Sequence, residues 1–538
     1  MKRTLTAALL LAALYTKAQD GSLSSREFWA AKPNLTTVKA ELTREKFNFK
    51  DVETGDDPLS LAINNDADIE VIKFLAAQPD VDFKRGIHEG RTYLHSAASK
   101  GNAEAVDVLL KSGSDMNYTD AHDQTALTYA AYMGKVTLPV IEAFVKNGFD
   151  VNYVFTKKNG ANILLLAAAS DKDLAITDYL VSKGVSLQST DNDGYTVFDN
   201  AAKLGNIEIL KGLLKKGAKY TNGALFMAAQ GPFRSANKID VFQYLVDEVK
   251  IDPTATNKAG QNVLHQIVTK QNQEDIIAYF FKKGVDINQA DKDGNTPFMG
   301  AAGVKNEKLV ASMLPKVKNI NAVNSKGESA LTNAVKSSNV AVVDLLLKNG
   351  ADVKIVDKEG HNLAYVLVDA YRGAGGRGGF GGGGFGGNRG GSPAPQQQGQ
   401  GGRGARGGFG GNGQNEGTQE SPVEDLGAKL TALKNHGLDV AVPSTDGNTL
   451  YHLAVAKNDL NLVKKISSLG VDINAKNKEG MTALHRAAML GRNDEILRYL
   501  LTVGADKSIE TSFGETAYDL ASENEQLKKE NISADFLK

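Results

Sequence analysis

The 538-residue chain carries 62 basic and 63 acidic side chains, a formal net charge of −1, so its overall charge offers no drive toward nucleic acid or an anionic membrane. It contains no cysteine, which excludes disulfides, thiolate metal sites, cysteine nucleophiles and lipid attachment at an N-terminal cysteine. An apolar fraction of 41% and a charged fraction of 23% are those of a folded soluble protein.

From the N-terminus, Lys2 and Arg3 precede an apolar run from Leu5 to Leu14, and Thr16-Lys17-Ala18 offers a small-x-small cleavage site. This pattern predicts a secretory signal over 1–18, with Gln19 as the mature N-terminus. Export without a lipid site or a later apolar span points to the periplasm, Gram-negative by preference, or to the medium. Residues 19–54 follow, and Phe28, Trp29, Leu35, Val38 and Leu42 predict two capping helices there.

Residues 55–371 repeat. The pattern is clearest farther on, between Asn477 and Asp506, as Gly480, Thr482, Leu484-His485, Ala487-Ala488, Gly491, Leu500-Leu501 and Gly504-Ala505-Asp506. It recurs at Gly90, Asp123, Gly160, Gly194, Gly260, Gly294, Gly327, Gly360, Gly447 and Gly514. Gly55 begins a weaker copy, Thr221 marks a shortened one, and most anchors stand 33 or 34 positions apart. The glycine supplies a turn with positive φ, and the threonine after it caps a helix. The alanine pair gives that helix a narrow apolar face, so neighbouring units approach closely. A second helix carries bulkier residues such as Val106, Leu109 and Leu110, and ends at a glycine such as Gly113 or Gly350. One unit alone cannot bury these faces, so stability must come from stacking.

These segments resemble ankyrin repeats. The resemblance implies an all-α ankyrin-repeat solenoid of about thirteen repeats plus caps, each repeat a pair of antiparallel helices with a projecting β-hairpin turn. Its arc length is roughly 100 Å or more, at about 10 Å per repeat.

From Gly373 to Gly417 about half the residues are glycine, a composition that predicts disorder. Residues 360–371 look like a first helix, and Leu426, Leu430, Leu433 and Gly437 like its partner. Residues 372–421 are therefore expected as an insertion within one repeat, the alternative being a linker between two stacks. Arg377-Gly378-Gly379-Phe380 and Arg406-Gly407-Gly408-Phe409 resemble RGG boxes that contact single-stranded RNA. Arginines this sparse favour a flexible spacer. Residues 422–538 resume the repeats and end in a polar cap around Lys528, Lys529 and Glu530.

Chemistry-bearing residues fall at positions the repeat dictates. His95, His265, His452 and His485 share one position, where the resemblance implies a structural bridge between units. Ligands one repeat apart, roughly 10 Å, are too distant for one zinc ion. Ser189, Asp191, Asp193 and Gly194 mimic the start of a calcium loop, but its closing glutamate position holds Asn200. No nucleophile elbow, H-E-x-x-H or phosphate loop occurs, and no cofactor is implied.

The resemblance implies partner binding through hairpin tips and exposed ends of first helices. Here these are His88, Arg91, Ser99, Lys100, His122, Gln124, Tyr132, Met133, Lys157, Lys158 and Tyr195, with Met481, Met489 and Leu490 as C-terminal counterparts. The mix of aromatic, apolar and basic groups between His88 and Met133 suits recognition. The expected function is a non-catalytic protein-binding scaffold of the cell envelope, with no nucleic acid bound and no membrane insertion. Alternatives are RNA binding through the arginine-glycine tract, or an enzyme with an unrecognised site in the groove.

Overall fold

The computed structural model describes residues 23–52, 55–232, 237–372 and 422–538. The expected signal at 1–18 and the disorder expected for 373–417 lie outside the described residues.

Most first helices begin where a side-chain cap dictates, Gly223–Gln230 and Leu264–Ile267 excepted. Thr125, Asn162, Thr196 and Ser329 accept a backbone N–H from the third helical residue. At Ser60, His95, Asp199, Thr332, His452, His485 and Asp519 that third side chain returns to the cap's own backbone. The alanines behind it, such as Ala97-Ala98, Ala201-Ala202 and Ala487-Ala488, are buried, and with no larger side chain there the next first helix packs directly on them.

Two compact units divide the chain, residues up to 292 and residues 293–538. The first opens with the capping helices Arg26–Ala30 and Leu35–Glu45, which pack on Pro58–Asn64 and Ile69–Ala76. Trp29 is fully buried there, and its indole N–H donates to the Leu23 carbonyl at 2.7 Å. The paired helices then run from Pro58–Asn64 to Glu274–Lys282. The shortened unit lies at Gly223–Gln230, where Thr221 donates its N–H (2.9 Å) and hydroxyl (2.6 Å) to the buried Asp199 carboxylate. The Tyr195 ring lies so close to Gly223 that a Cβ there would sit 2.5 Å from it. Lys258, on the next tip, bridges back to Asp193 at 3.2 Å.

In the second unit the paired helices run from Pro297–Ala302 to Glu525–Lys529. Leu363–Ala370 packs between Ala330–Ser337 and Leu450–Ala456, while Pro422–Asn435 packs between Val340–Lys348 and Leu460–Ser467. The two also pack on each other. The Tyr371 hydroxyl donates to Asp459 at 3.0 Å, and Lys457 pairs with Asp369 at 3.2 Å.

The projecting turns are tight. Among the described residues they form only isolated antiparallel bridges, such as His88↔Arg91, Phe155↔Ala161 and Val356↔Asn362. The turns are too short for a ladder of their own, so the tip amides pair with the neighbouring tip. In the first unit Ala121 donates to Glu89 (2.9 Å), Asn192 to Asn159 (2.8 Å) and Lys292 to Ala259 (2.9 Å). In the second, Ser325 donates to Asp293, Lys358 to Lys326, Lys478 to Asp446 and Ser512 to Glu479, at 2.6–3.1 Å. Between the last two pairs and the first two, the Thr445 hydroxyl donates to the Glu359 carbonyl at 2.9 Å.

Candidate binding surface

Of the four register-equivalent histidines, His95 and His452 bridge to the next repeat. His95 Nδ1 accepts the Thr92 N–H, and its Nε2 lies 2.9 Å from the Gln124 carbonyl of the next repeat. His452 repeats this with Thr449 and the Met481 carbonyl, also at 2.9 Å. Both partners are satisfied by one neutral tautomer, with the proton on Nε2. Burial pushes the rings of His95, His452 and His485 below the usual histidine range.

A group whose folded pKa is depressed takes up its proton more readily when unfolded, so acid favours unfolding. Stability will therefore fall as pH drops through about 6.5, by at most ~1.4 kcal/mol per pH unit for each histidine. Urea denaturation between pH 7.5 and 5.5 checks this. A triple asparagine variant at His95, His452 and His485 should show a shallower slope, and an unchanged slope would contradict the assignment.

The acids resembling a calcium loop are engaged in the turn itself. Asp191 accepts the N–H groups of Asp193 and Tyr195, both at 2.9 Å, while Asp193 pairs with Lys258 and accepts from Asn159 at 2.8 Å. Asp357, Glu359 and His361, which sequence reasoning missed as a group, converge within 4.8 Å on a tip of the second unit. Asp357 accepts the His361 backbone N–H at 2.8 Å and faces its Nδ1 at 3.0 Å, while the imidazole stacks on Tyr365 at 3.9 Å.

Around the first tips, ion pairs join one repeat to the next. Arg91 reaches Asp120 at 3.3 Å, pairs with Glu89, and lies over the Tyr129 ring at 4.4 Å. His122 stands 3.4 Å from the same Glu89, and His88 stands 3.5 Å from Asp56. Lys157 pairs with Asp123 at 3.4 Å, and Lys158 reaches the His122 carbonyl at 3.5 Å. Tyr132 and Met133 close the helix Ala126–Tyr132, the tyrosine 61% exposed.

The predicted residues thus separate by environment. His88, Lys100, His122, Tyr132 and Lys157 are exposed, whereas Arg91, Ser99, Gln124, Met133, Lys158 and Tyr195 are half-buried. Gln124 receives the His95 contact, and Ser99 donates to the Ser96 carbonyl at 3.1 Å. Burial pushes the Tyr195 phenol up to about 12. In the second unit Met489 and Leu490 are exposed, and Phe513, unmarked by the sequence reading, is 83% exposed on the last tip. Its position two residues after Thr511 in a tip was the available signal. Among the described residues no helix is long and apolar enough to cross a membrane.

The family described as "Ankyrin repeats (3 copies)" matches residues 28–120, 59–155, 127–224, 225–321, 264–357 and 432–531. A palmitoyltransferase of the yeast Lachancea kluyveri is 29% identical over 210 residues, 38% of this chain and 28% of that protein. The human SH3 and multiple ankyrin repeat domains protein 2 is 40% identical over 88 residues, 16% of this chain and 5% of that protein. The human transient receptor potential cation channel subfamily A member 1 is 22% identical over 454 residues, 81% of this chain and 35% of that protein. The chain thus spans about a third or less of each of these relatives.

Proposed function

Because this chain belongs to the ankyrin-repeat family, whose stacked helices act as protein-interaction scaffolds, we propose that it holds a partner protein in the cell envelope without catalysing a reaction. The contact surface is the row of tips and first-helix ends from His88 to Met133, extended by Lys157, Lys158 and Tyr195. The observation that carries this reading is Tyr132, 61% exposed beside Met133 and held on a rigid helix end. A large aromatic on a pre-ordered surface contributes contact area at little entropic cost.

Export to the periplasm, or secretion, follows from the charged and apolar pattern of residues 1–18. Residues 372–421 are read as an insertion within one repeat, supported by the packing of Leu363–Ala370 on Pro422–Asn435. The yeast relative is named a palmitoyltransferase, but this chain spans 28% of that protein, and no reaction or cofactor is assigned to it. Neither nucleic acid nor membrane insertion forms part of the reading.

Affinity capture from an envelope extract tests it. The intact chain should retain one specific protein, and Tyr132→Ala with Met133→Ala should weaken retention about 30-fold, the loss of one hot spot near 2 kcal/mol. Unchanged retention rejects this surface, and no retained protein rejects the scaffold reading.

A further inference from the structure

The row that ends its helices at Tyr132 and Met133 continues two repeats farther on. Thr125 and Thr196 cap equivalent helices, so Lys203 stands in the register of Tyr132. Gln230 takes that register in the next, shortened unit, and Lys270 follows beyond the helix Leu264–Ile267.

Both lysines are partly buried, and neither has an ion pair among the described residues. Three exposed lysines of this unit are paired, Lys157 with Asp123, Lys216 with Asp178 and Lys258 with Asp193, whereas Lys215 and Lys219 are exposed to water, which solvates an ammonium that a partly buried site does not. The Lys270 ammonium instead donates to the Gln230 carbonyl, between the two lysines in the row. Beneath them Asn237 ties the helix ends together, donating to the carbonyls of Ala202 (3.1 Å) and Ala228 (2.9 Å). Burial pushes both ammonium groups below the usual lysine range, and their mutual repulsion adds to this at Lys270. Two half-desolvated cations with no counter-charge paired to them among the described residues are unfavourable in the free protein, and an arriving carboxylate offsets that cost.

We propose that Lys203 and Lys270 anchor an acidic peptide segment of the partner, each ammonium taking one carboxylate. This rests on the scaffold reading and names the chemistry of the partner. Nucleic acid fits less well, because a phosphate backbone draws on some six to ten cationic contacts and stacked aromatics, and this row offers two lysines. An inorganic anion fits less well because the Lys270 ammonium is already engaged by the Gln230 carbonyl.

The full chain is titrated with a short fluorescent peptide of alternating glutamate and alanine, followed by anisotropy. The matched glutamine peptide, a single-stranded oligonucleotide of equal charge and inorganic phosphate serve as the other arms. Lys203→Gln with Lys270→Gln should weaken glutamate-peptide binding about tenfold, while Lys215→Gln on the exposed outer helix changes it less than twofold. The double variant should melt no lower than the parent, since it removes two partly buried charges that no carboxylate among the described residues pairs with. Equal peptide affinity in the double variant, no peptide binding by the parent, or equal binding of glutamine peptide, oligonucleotide or phosphate overturns the proposal. In envelope capture, a partner lost with the Tyr132/Met133 variant yet fully retained by the lysine variant would end this proposal and leave the scaffold standing. A parent chain that captures nothing would instead end the scaffold reading.

Discussion

Asp57→Ala will lower the stability of the first unit by about 3–5 kcal/mol, the typical result of removing one partner from a buried ion pair. The Asp57 carboxylate is fully buried. It accepts the Arg85 guanidinium, the Tyr93 hydroxyl and, at 2.8 Å, the Ser60 N–H that starts the first helix of its repeat. Arg85 is 13% exposed, and its other amino group reaches the Gly55 carbonyl at 3.1 Å. Without the carboxylate a buried cation, a phenol and a helix cap all lose their acceptor. Asp57→Asn keeps the shape and an acceptor oxygen, so it should lose less. Urea denaturation of the two variants measures the difference, and equal losses would show that charge is not what the site requires.

Gly480→Ala will cost roughly 2–4 kcal/mol, the sum of left-handed backbone strain and a broken tip contact. Gly480 has φ +75°, and a Cβ there would lie 2.5 Å from the Ser512 nitrogen and 3.1 Å from the Thr511 carbonyl carbon. That nitrogen donates to the Glu479 carbonyl at 3.1 Å, one of the bonds joining adjacent tips. Gly514 has nearly the same φ, +77°, with nothing within 4 Å of its Cβ position. Its alanine variant should lose only the strain, about 1–2 kcal/mol. Thermal melting orders the pair, and hydrogen exchange at the Ser512 amide reports the tip bond directly. If both glycines cost the same, the tip contact contributes nothing.

Much of this architecture was legible because each repeat writes its own boundary. Thr482, His485 and the alanine pair mark one helix, and the structure closes it with the capping bonds those residue types can make. The shortened unit was legible from the missing tip before Gly223. Side-chain partnerships across repeats were not. Register puts Arg91 on a tip, but only three dimensions show it folded back over Tyr129 toward Asp120. Gln124 and Tyr195 likewise meet neighbours, the His95 ring and Gly223, about thirty positions away. The set Asp57, Arg85 and Tyr93 has no local signature, because its members are related by stacking and not by spacing. The division after residue 292 also left no trace, since the period runs on evenly through Gly260, Gly294 and Gly327.

The helix pair Leu363–Ala370 and Pro422–Asn435 is held from both sides by packing, by the Thr445 bond to Glu359 and by the Tyr371 bond to Asp459. Backbone connectivity between Arg372 and Pro422 is therefore redundant as a fastener. A protease nick there would leave the two helices of this pair clasped together within the second unit, and a foreign sequence spliced in at that junction would not ask the surrounding layers to rearrange.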